Sequence, residues 1–433
     1  MGQLALLHRR PRAFLADMLI EWTSFVLVAM AALGVSAGLG SSPRLRVIGH
    51  LLLLGVVMRI VGVLARHSMI FDLYGGGSDA VGYFNSGAAI AKQFRALDFS
   101  VIGSDYWGER QWGTQAVRYA SGFVIAFVGR SIRGAFLVFS LAAYVGLVCS
   151  AVAFGRVNSS VSTPRAAALL FLWPTLWFWP SSIGKEAILL LAVGLVTLGY
   201  VGRGDRLHWI PLISGLLLAM SIRPHIAGVL AVSMCVAEWV ASGWTRRRVT
   251  QSLLVSVLGL ALLVVALNTL GLTNPGSETF ETFVLDAAAR TNQGGGAFER
   301  ADSTAVAIPM AFISILCRPF ITEAHNPMAL VSSLEMMAFW MLVIYRRRQL
   351  WSGLRSWRTN RLMRFVIPFS LLYVLMIGLT FQNLGIIARQ RTLVMPALLL
   401  LLAGAESVRQ TVRVDVPQLR RSWRQPAPRG SLG

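Results

Sequence analysis

The chain has 433 residues, 55% of them hydrophobic and 14% charged, with a mean hydropathy of +0.62. A soluble domain carries about 25% charged residues, so an ordinary cytosolic enzyme, a secreted disulfide scaffold and a disordered tail protein are excluded. The charge is lopsided, 40 Lys+Arg against 19 Asp+Glu for a net of +21, and only Lys92 and Lys185 are lysines. In a soluble protein such basicity would point to nucleic acid. In a chain this apolar it points to an arginine excess on the cytoplasmic face of an integral membrane protein, with no nucleic-acid partner.

A span needs about 20 mainly apolar residues. Such runs lie at 18–40, 45–65, 133–153, 183–201, 226–243, 249–270, 328–345, 365–381 and 384–403. The first follows His8-Arg9-Arg10-Pro11-Arg12; it is too long for a signal peptide's apolar core and is expected to be retained. Shorter or proline-broken candidates are 165–180, containing Trp173-Pro174 and Trp179-Pro180, and 207–221. Runs 117–129 and 305–317 are short enough to suit interfacial or re-entrant helices. The expectation is an all-α polytopic membrane protein of about eleven spans, within a range of roughly 10–13. Residues 1–408 form the transmembrane domain with external loops 66–132 and 271–327, and 409–433 form a basic, disordered cytoplasmic tail. Cys149, Cys235 and Cys317 lie far apart inside apolar runs, without metal-ligand spacing, and read as packing residues.

Arginine clusters set the orientation. Arg246 to Arg248, Arg346 to Arg348, Arg355 to Arg364 and the tail from Arg409 read as cytoplasmic, which places 180–186, 223–225, 271–327 and the turn at Gln382-Asn383 outside. The first loop has two solutions: 66–115 is external, or 117–129 crosses and returns it to the cytoplasm. Charge favours the external solution, because 66–115 holds Asp72, Asp79, Asp98, Asp105 and Glu109.

Five constellations carry possible chemistry. Gly75-Gly76-Gly77-Ser78-Asp79 opens an amphipathic stretch over 80–97. Ser78 or Asp79 would cap that helix; equally, Asp79 would stand as a carboxylate just outside the hydrocarbon, able to take a proton from a sugar hydroxyl. Asp105-Tyr106-Trp107-Gly108-Glu109 follows, with aromatics beside acids as carbohydrate faces favour. Trp179-Pro180-Ser181-Ser182-Ile183-Gly184-Lys185-Glu186 sets one of the two lysines at a helix start, where a phosphate would be held; the alternative is a snorkelling Lys185 paired with Glu186. Ser221-Ile222-Arg223-Pro224-His225 breaks an apolar stretch, either as a hairpin turn or as a functional charge at membrane depth. The segment Cys317 to Pro327 brings Arg318, Glu323, His325 and Asn326 together. His325 has no second His or Cys at ligand spacing, so no metal site is assigned. Arg389 and Arg391 stand near the last span with no acid nearby in sequence, where they either snorkel or hold an anion; a forked guanidinium matches phosphate.

The order of these motifs resembles the GT-C superfamily of polytopic, polyprenyl-phosphate-dependent glycosyltransferases. The resemblance lies in Asp79-Ala80-x-x-Tyr83 in an acidic first loop and the Trp112-Gly113-Thr114 approach to the next apolar run. It continues in the Trp179-Pro180-Ser181 break and in Arg389 and Arg391 ahead of Pro396. It covers most of the chain in layout, through short motifs. It implies a GT-C-like fold and a membrane glycosyltransferase moving a sugar from a polyprenyl-phosphate carrier to a glycan or lipid acceptor in cell-envelope polysaccharide synthesis. Asp79 would be the base, and Arg389 and Arg391 the phosphate ligands. The residue pattern itself adds Lys185, Arg223 and Arg318 as phosphate-binding cations, with Asp105, Glu109, Glu323 and His325 as further candidates. No cofactor is required, although a divalent cation could assist the external acids. A Wzy-type O-antigen or exopolysaccharide polymerase is a second resemblance, and a lipid-linked glycan flippase is the alternative outside enzymes. The arginine bias fits a GC-rich bacterial genome, hence a bacterial inner membrane with the C-terminus cytoplasmic.

Overall fold

The computed structural model describes residues 11–43, 45–103, 113–158, 161–202, 207–241 and 304–404, with scattered positions between 249 and 265. Among them the chain is helical and contains no strand. Five helices are long and apolar enough to cross a membrane: Met18–Gly40, Arg46–Leu73, Ile132–Val157, Pro327–Tyr345 and Arg361–Thr380. A sixth span is possible if Leu384–Leu393 and Met395–Ala403, bent by 55°, are counted together. These lengths fit a multi-pass membrane protein. Shorter apolar helices pack among them.

Contacts set the direction of the first helices between two ends of the bundle, the near end being the one that holds the starts of α1 and α5. Helix α1 (Pro11–Gly40) runs from the near end to the far end, and α2 (Gly49–Ser68) returns. Near the turn, Gly40 and Gly49 pack backbone to backbone. Helix α5 (Ile132–Val157) starts at the near end, where Glu21 of α1 accepts from Ile132 N at 2.9 Å and Arg133 N at 2.8 Å. A carboxylate on these free N–H groups satisfies donors that the helix start leaves unpaired. Arg133 then lies over the Trp22 ring, 4.6 Å from its centroid.

Helices α3 (Asp79–Arg95) and α4 (Thr114–Val128) form an antiparallel pair, with Gly87 against Ser121 and Gly122. Both tips of α4 bind near-end groups. Gly113 N donates to Ser221 O at 2.8 Å, and Ser24 Oγ donates to Val128 O at 2.8 Å. Helix α4 therefore lies across the near end and does not cross the bundle. The described parts of 66–132 thus lie at the same end of the bundle as 180–186, 223–225 and 382–389. Asp105 and Glu109 lie outside the described residues, as do 271–303 of the second loop and the 409–433 tail.

Helices α6 (Thr163–Leu172) and α7 (Pro174–Phe178) are one path broken at Trp173, whose ψ of 127° is what a following proline imposes. The donor freed by the break, Thr175 N, bonds Glu335 Oε1 at 2.8 Å; Glu335 belongs to α12 (Pro327–Tyr345). The acceptor Leu176 O takes the fully buried Arg59 of α2, whose guanidinium also lies 5.4 Å from the Tyr144 ring centroid. Helices α8 (Lys185–Val201), α9 (Trp209–Ile222) and α10 (Pro224–Trp239) follow, then α11 (Thr304–Leu316) ahead of α12. The chain ends in α13 (Arg347–Arg355), α14 (Arg361–Thr380), α15 (Leu384–Gln390) and α16 (Met395–Ala403).

Small residues set the closest crossings, as expected where apolar burial cannot distinguish helix from lipid. A Cβ on Gly194 of α8 would lie 2.0 Å from Gly146 O of α5. Gly194→Ala is therefore expected to destabilise the protein in detergent by about 2 kcal/mol through overpacking. Gly34→Ala in α1, where nothing lies within 4 Å, should be neutral or stabilising, because it only reduces backbone freedom. Thermal unfolding of the two variants side by side checks the contrast.

Candidate functional site at the near end

The site is assembled from three chain breaks. At the end of α2, a Cβ on Gly62 would meet Trp177 O at 2.3 Å and Ser181 Oγ at 2.6 Å. This glycine lets the Trp179–Ser182 turn press against α2, and Arg66, one helical turn later, lands beside it. Arg66 Nη2 donates to Ser182 Oγ at 3.4 Å, and the guanidinium faces the Phe178 and Trp179 rings at 5.4 and 5.1 Å.

The chain then turns through Gly75 and Gly76, both at positive φ (56° and 83°), which a glycine tolerates without a Cβ penalty. Ser78 is the N-cap of α3, its Oγ accepting from Ala80 N at 3.2 Å. The capping role thus falls to Ser78 and leaves Asp79 free. The Asp79 side chain is 72% exposed, with Oδ2 3.8 Å from Arg389 Nη1.

Glu186, in the first turn of α8, is buried and organises the charges. Its Oε2 accepts from Arg389 Nη2 at 2.7 Å, and its Oε1 lies 3.8 Å from Arg223 Nη2. Arg223, in the extended link between α9 and α10, also donates to Gln390 Oε1. Tyr373 of α14 holds Gln390 in turn by donating to its carbonyl at 2.9 Å. Lys185 Nζ donates to Thr114 Oγ1 at 3.1 Å, tying α8 to α4. The alternative Lys185–Glu186 pair is replaced by Glu186 with two arginines.

A cavity of about 520 Å³ opens beside this cluster, lined among others by Arg66, Tyr74, Asp79, Trp179, Ser182 and Arg389. The cluster holds four cations (Arg66, Lys185, Arg223, Arg389) and two carboxylates (Asp79, Glu186), of which Arg66, Asp79 and Arg389 line the cavity and the others stand behind it. It thus has an excess of two positive charges, which a phosphate-class anion would balance. Among the described residues no group of three His, Cys, Asp or Glu side chains converges as a metal site.

The other predicted residues go elsewhere. Arg389 is not the unpaired arginine that its sequence neighbourhood suggests, because its acid partner comes from 203 residues away. Arg391 turns inward and is 1% exposed. Its Nε donates to Ile315 O at 2.6 Å and its Nη2 to Arg318 O, so it clamps the end of α11 and does not line the cavity. Arg318 Nε donates to Glu323 Oε1 at 2.8 Å, and neither residue lines the cavity; nor does His325. Sequence reasoning missed Arg66 and the anchoring roles of Gln390 and Tyr373. The sequence marks Arg66 only as a basic residue closing a long apolar run, a pattern shared by ordinary span ends.

Arg391→Ala is expected to lower stability by about 2–4 kcal/mol, since it strands the buried carbonyl of Ile315 and the part-buried carbonyl of Arg318. Thermal unfolding reads this as a loss independent of any ligand. Partial burial pushes the Glu323 carboxyl up, but its hydrogen bonds from Arg318 and from Phe320 N, at 2.9 Å, hold it below the ordinary carboxylate range. A depressed folded-state pKa gives stability that is present above the unfolded value, about 4.3, and lost as pH falls below it. The 318–323 turn should loosen below about pH 4, and Glu323→Gln should remove that dependence; hydrogen exchange across the turn checks both.

Comparison with family models, with curated proteins and with solved structures finds no match for this chain.

Proposed function

We propose that the near-end cavity binds the phosphate of a lipid carrier and that the protein is a membrane glycosyltransferase. In this reading it moves a sugar from a polyprenyl-phosphate carrier to a glycan or lipid acceptor. The observation that supports it most is Arg389, held by buried Glu186 on one side and facing exposed Asp79 on the other, at the wall of a cavity at one end of an apolar bundle. Such a place offers a polar headgroup a pocket and its isoprenoid chain a lipid environment. The GT-C-like layout of about eleven spans, set in a bacterial inner membrane with the C-terminus cytoplasmic, belongs to the same proposal.

The chemistry follows from charge. Asp79 accepts the proton of the acceptor hydroxyl as its oxygen bonds to the anomeric carbon. The bond from that carbon to the phosphate oxygen breaks, and the electron pair leaves with the carrier phosphate, which gains one negative charge. Arg389 hydrogen-bonds Glu186 and stands 3.8 Å from Asp79, so the Asp79 oxygens stay open to a hydroxyl. Cations already in place when negative charge develops stabilise the transition state more than the ground state.

With purified protein in nanodiscs, release of polyprenyl phosphate from a polyprenyl-phosphate sugar is the assay. Asp79→Asn should reduce kcat by 10²- to 10⁴-fold with little change in KM, whereas Arg389→Ala should depress both kcat and affinity. Full turnover by Asp79→Asn would remove the base assignment. Movement of the intact donor across vesicles without its consumption would replace the transferase with a flippase.

A further inference from the structure

Arg389, Arg223 and Arg66 differ in one respect that decides where an anion sits. Arg389 and Arg223 share the carboxylate of Glu186. Arg66 is more deeply buried than either, at 6% exposure against side chains 31% and 17% exposed. Among the described residues no carboxylate lies within ion-pair distance of it, the pairs of the cluster being made by Arg389 and Arg223. Its contacts are Ser182 Oγ at 3.4 Å, Met69 Sδ at 3.5 Å and two aromatic rings, and its Nε has no hydrogen-bond partner. A buried guanidinium in this state has aromatic faces and a hydroxyl but no ion pair to offset its burial. The open space beside it is the cavity that Arg389 and Asp79 also line.

We propose that Arg66 is the principal phosphate-binding residue of this cavity, and that the site prefers a phosphomonoester dianion over a phosphodiester monoanion. The first part follows from compensation: an incoming anion gains most from the cation that has no acid. The second follows from the cluster's surplus of two positive charges, which a dianion neutralises and a monoanion leaves half satisfied. The aromatic faces of Phe178 and Trp179 fix the guanidinium plane, and Ser182 adds a hydroxyl. Together they present a planar donor fork that a lysine cannot reproduce. The preference rests on the proposed transferase reading where it concerns the carrier: a phosphodiester-linked donor becomes a phosphomonoester as the sugar leaves, so the site would hold product more tightly than substrate. The phosphate site at Arg66 itself does not depend on that reading.

The test measures ligand-induced thermal stabilisation and direct binding for the full-length protein in nanodiscs. The probes are inorganic phosphate, polyprenyl phosphate and a polyprenyl methyl phosphodiester. Wild type should bind polyprenyl phosphate at least tenfold more tightly than the diester. Arg66→Ala should lose at least tenfold in affinity for polyprenyl phosphate, and Arg66→Lys, which keeps the charge and guards against a folding defect, should lose most of the same. Ser182→Ala should lose a smaller part. Polyprenyl phosphate binding that is unchanged in Arg66→Ala and Arg66→Lys overturns the assignment while leaving the transferase reading standing. Binding of inorganic phosphate through Arg66, with no binding of polyprenyl phosphate, keeps the anion site and overturns the lipid-carrier reading. Equal affinity for monoester and diester removes the charge-selection claim, and failure of wild type to bind any of the three overturns the proposal as a whole.

Discussion

A carboxylate buried at the start of a helix cannot stand alone in an apolar bundle, and Glu186 is the group around which the near end is arranged. Its two oxygens take arginines from the α9–α10 link and from α15. Through Arg389 the same network reaches Asp79 at the start of α3, and through Arg223 it reaches Gln390 and Tyr373. Four separate stretches of chain are thereby held at one place by a single charge. Removing one partner would leave an uncompensated ion, which is why such networks are strongly coupled.

Arg59, Glu335 and Arg391 inside the bundle follow a related rule. They sit where a helix is interrupted, because broken backbone exposes donors and acceptors that lipid cannot satisfy. The break at Trp173-Pro174 is met by Glu335 on Thr175 N, and Leu176 O, which faces Pro180 with no N–H to offer, is met by Arg59. The end of α11 is met by Arg391 on Ile315 O and Arg318 O. These are structural uses of charge, and they differ from the cavity cluster in being turned toward backbone and not toward open space. Arg391 and Arg389 are two residues apart and fall on opposite sides of that distinction.

Much of the fold was legible in the sequence, since apolar length and proline position are local properties. The breaks at Trp173-Pro174 and Arg223-Pro224, a short helix over the 117–129 run and the capped helix after Gly77 are all found at the predicted places. Part of the site was legible too, because Asp79, Lys185, Arg223 and Arg389 each mark a break or a helix start. What could not be read was pairing. No local pattern says that Arg389 meets Glu186 rather than an external anion, or that Arg391 points inward, because both outcomes depend on contacts across more than 70 residues. Arg66 was hidden for the opposite reason: its neighbourhood resembles the ordinary basic end of a span, and only the press of the 179–182 turn makes it a buried cation.

The course of α4 across the near end binds together two things that charge counting treats separately. Because α1 and α2 form a closed pair and α4 does not cross, the start of α1 and the start of α3 are obliged to share a compartment. The start of α1 therefore accompanies Asp79, whichever side that is. In sequence, the stretch around the start of α1 is basic (Arg9, Arg10, Arg12) and the stretch after α2 is acidic (Asp72, Asp79). The orientation of the α1–α2 pair is then a contest between those two charges and not the property of either alone.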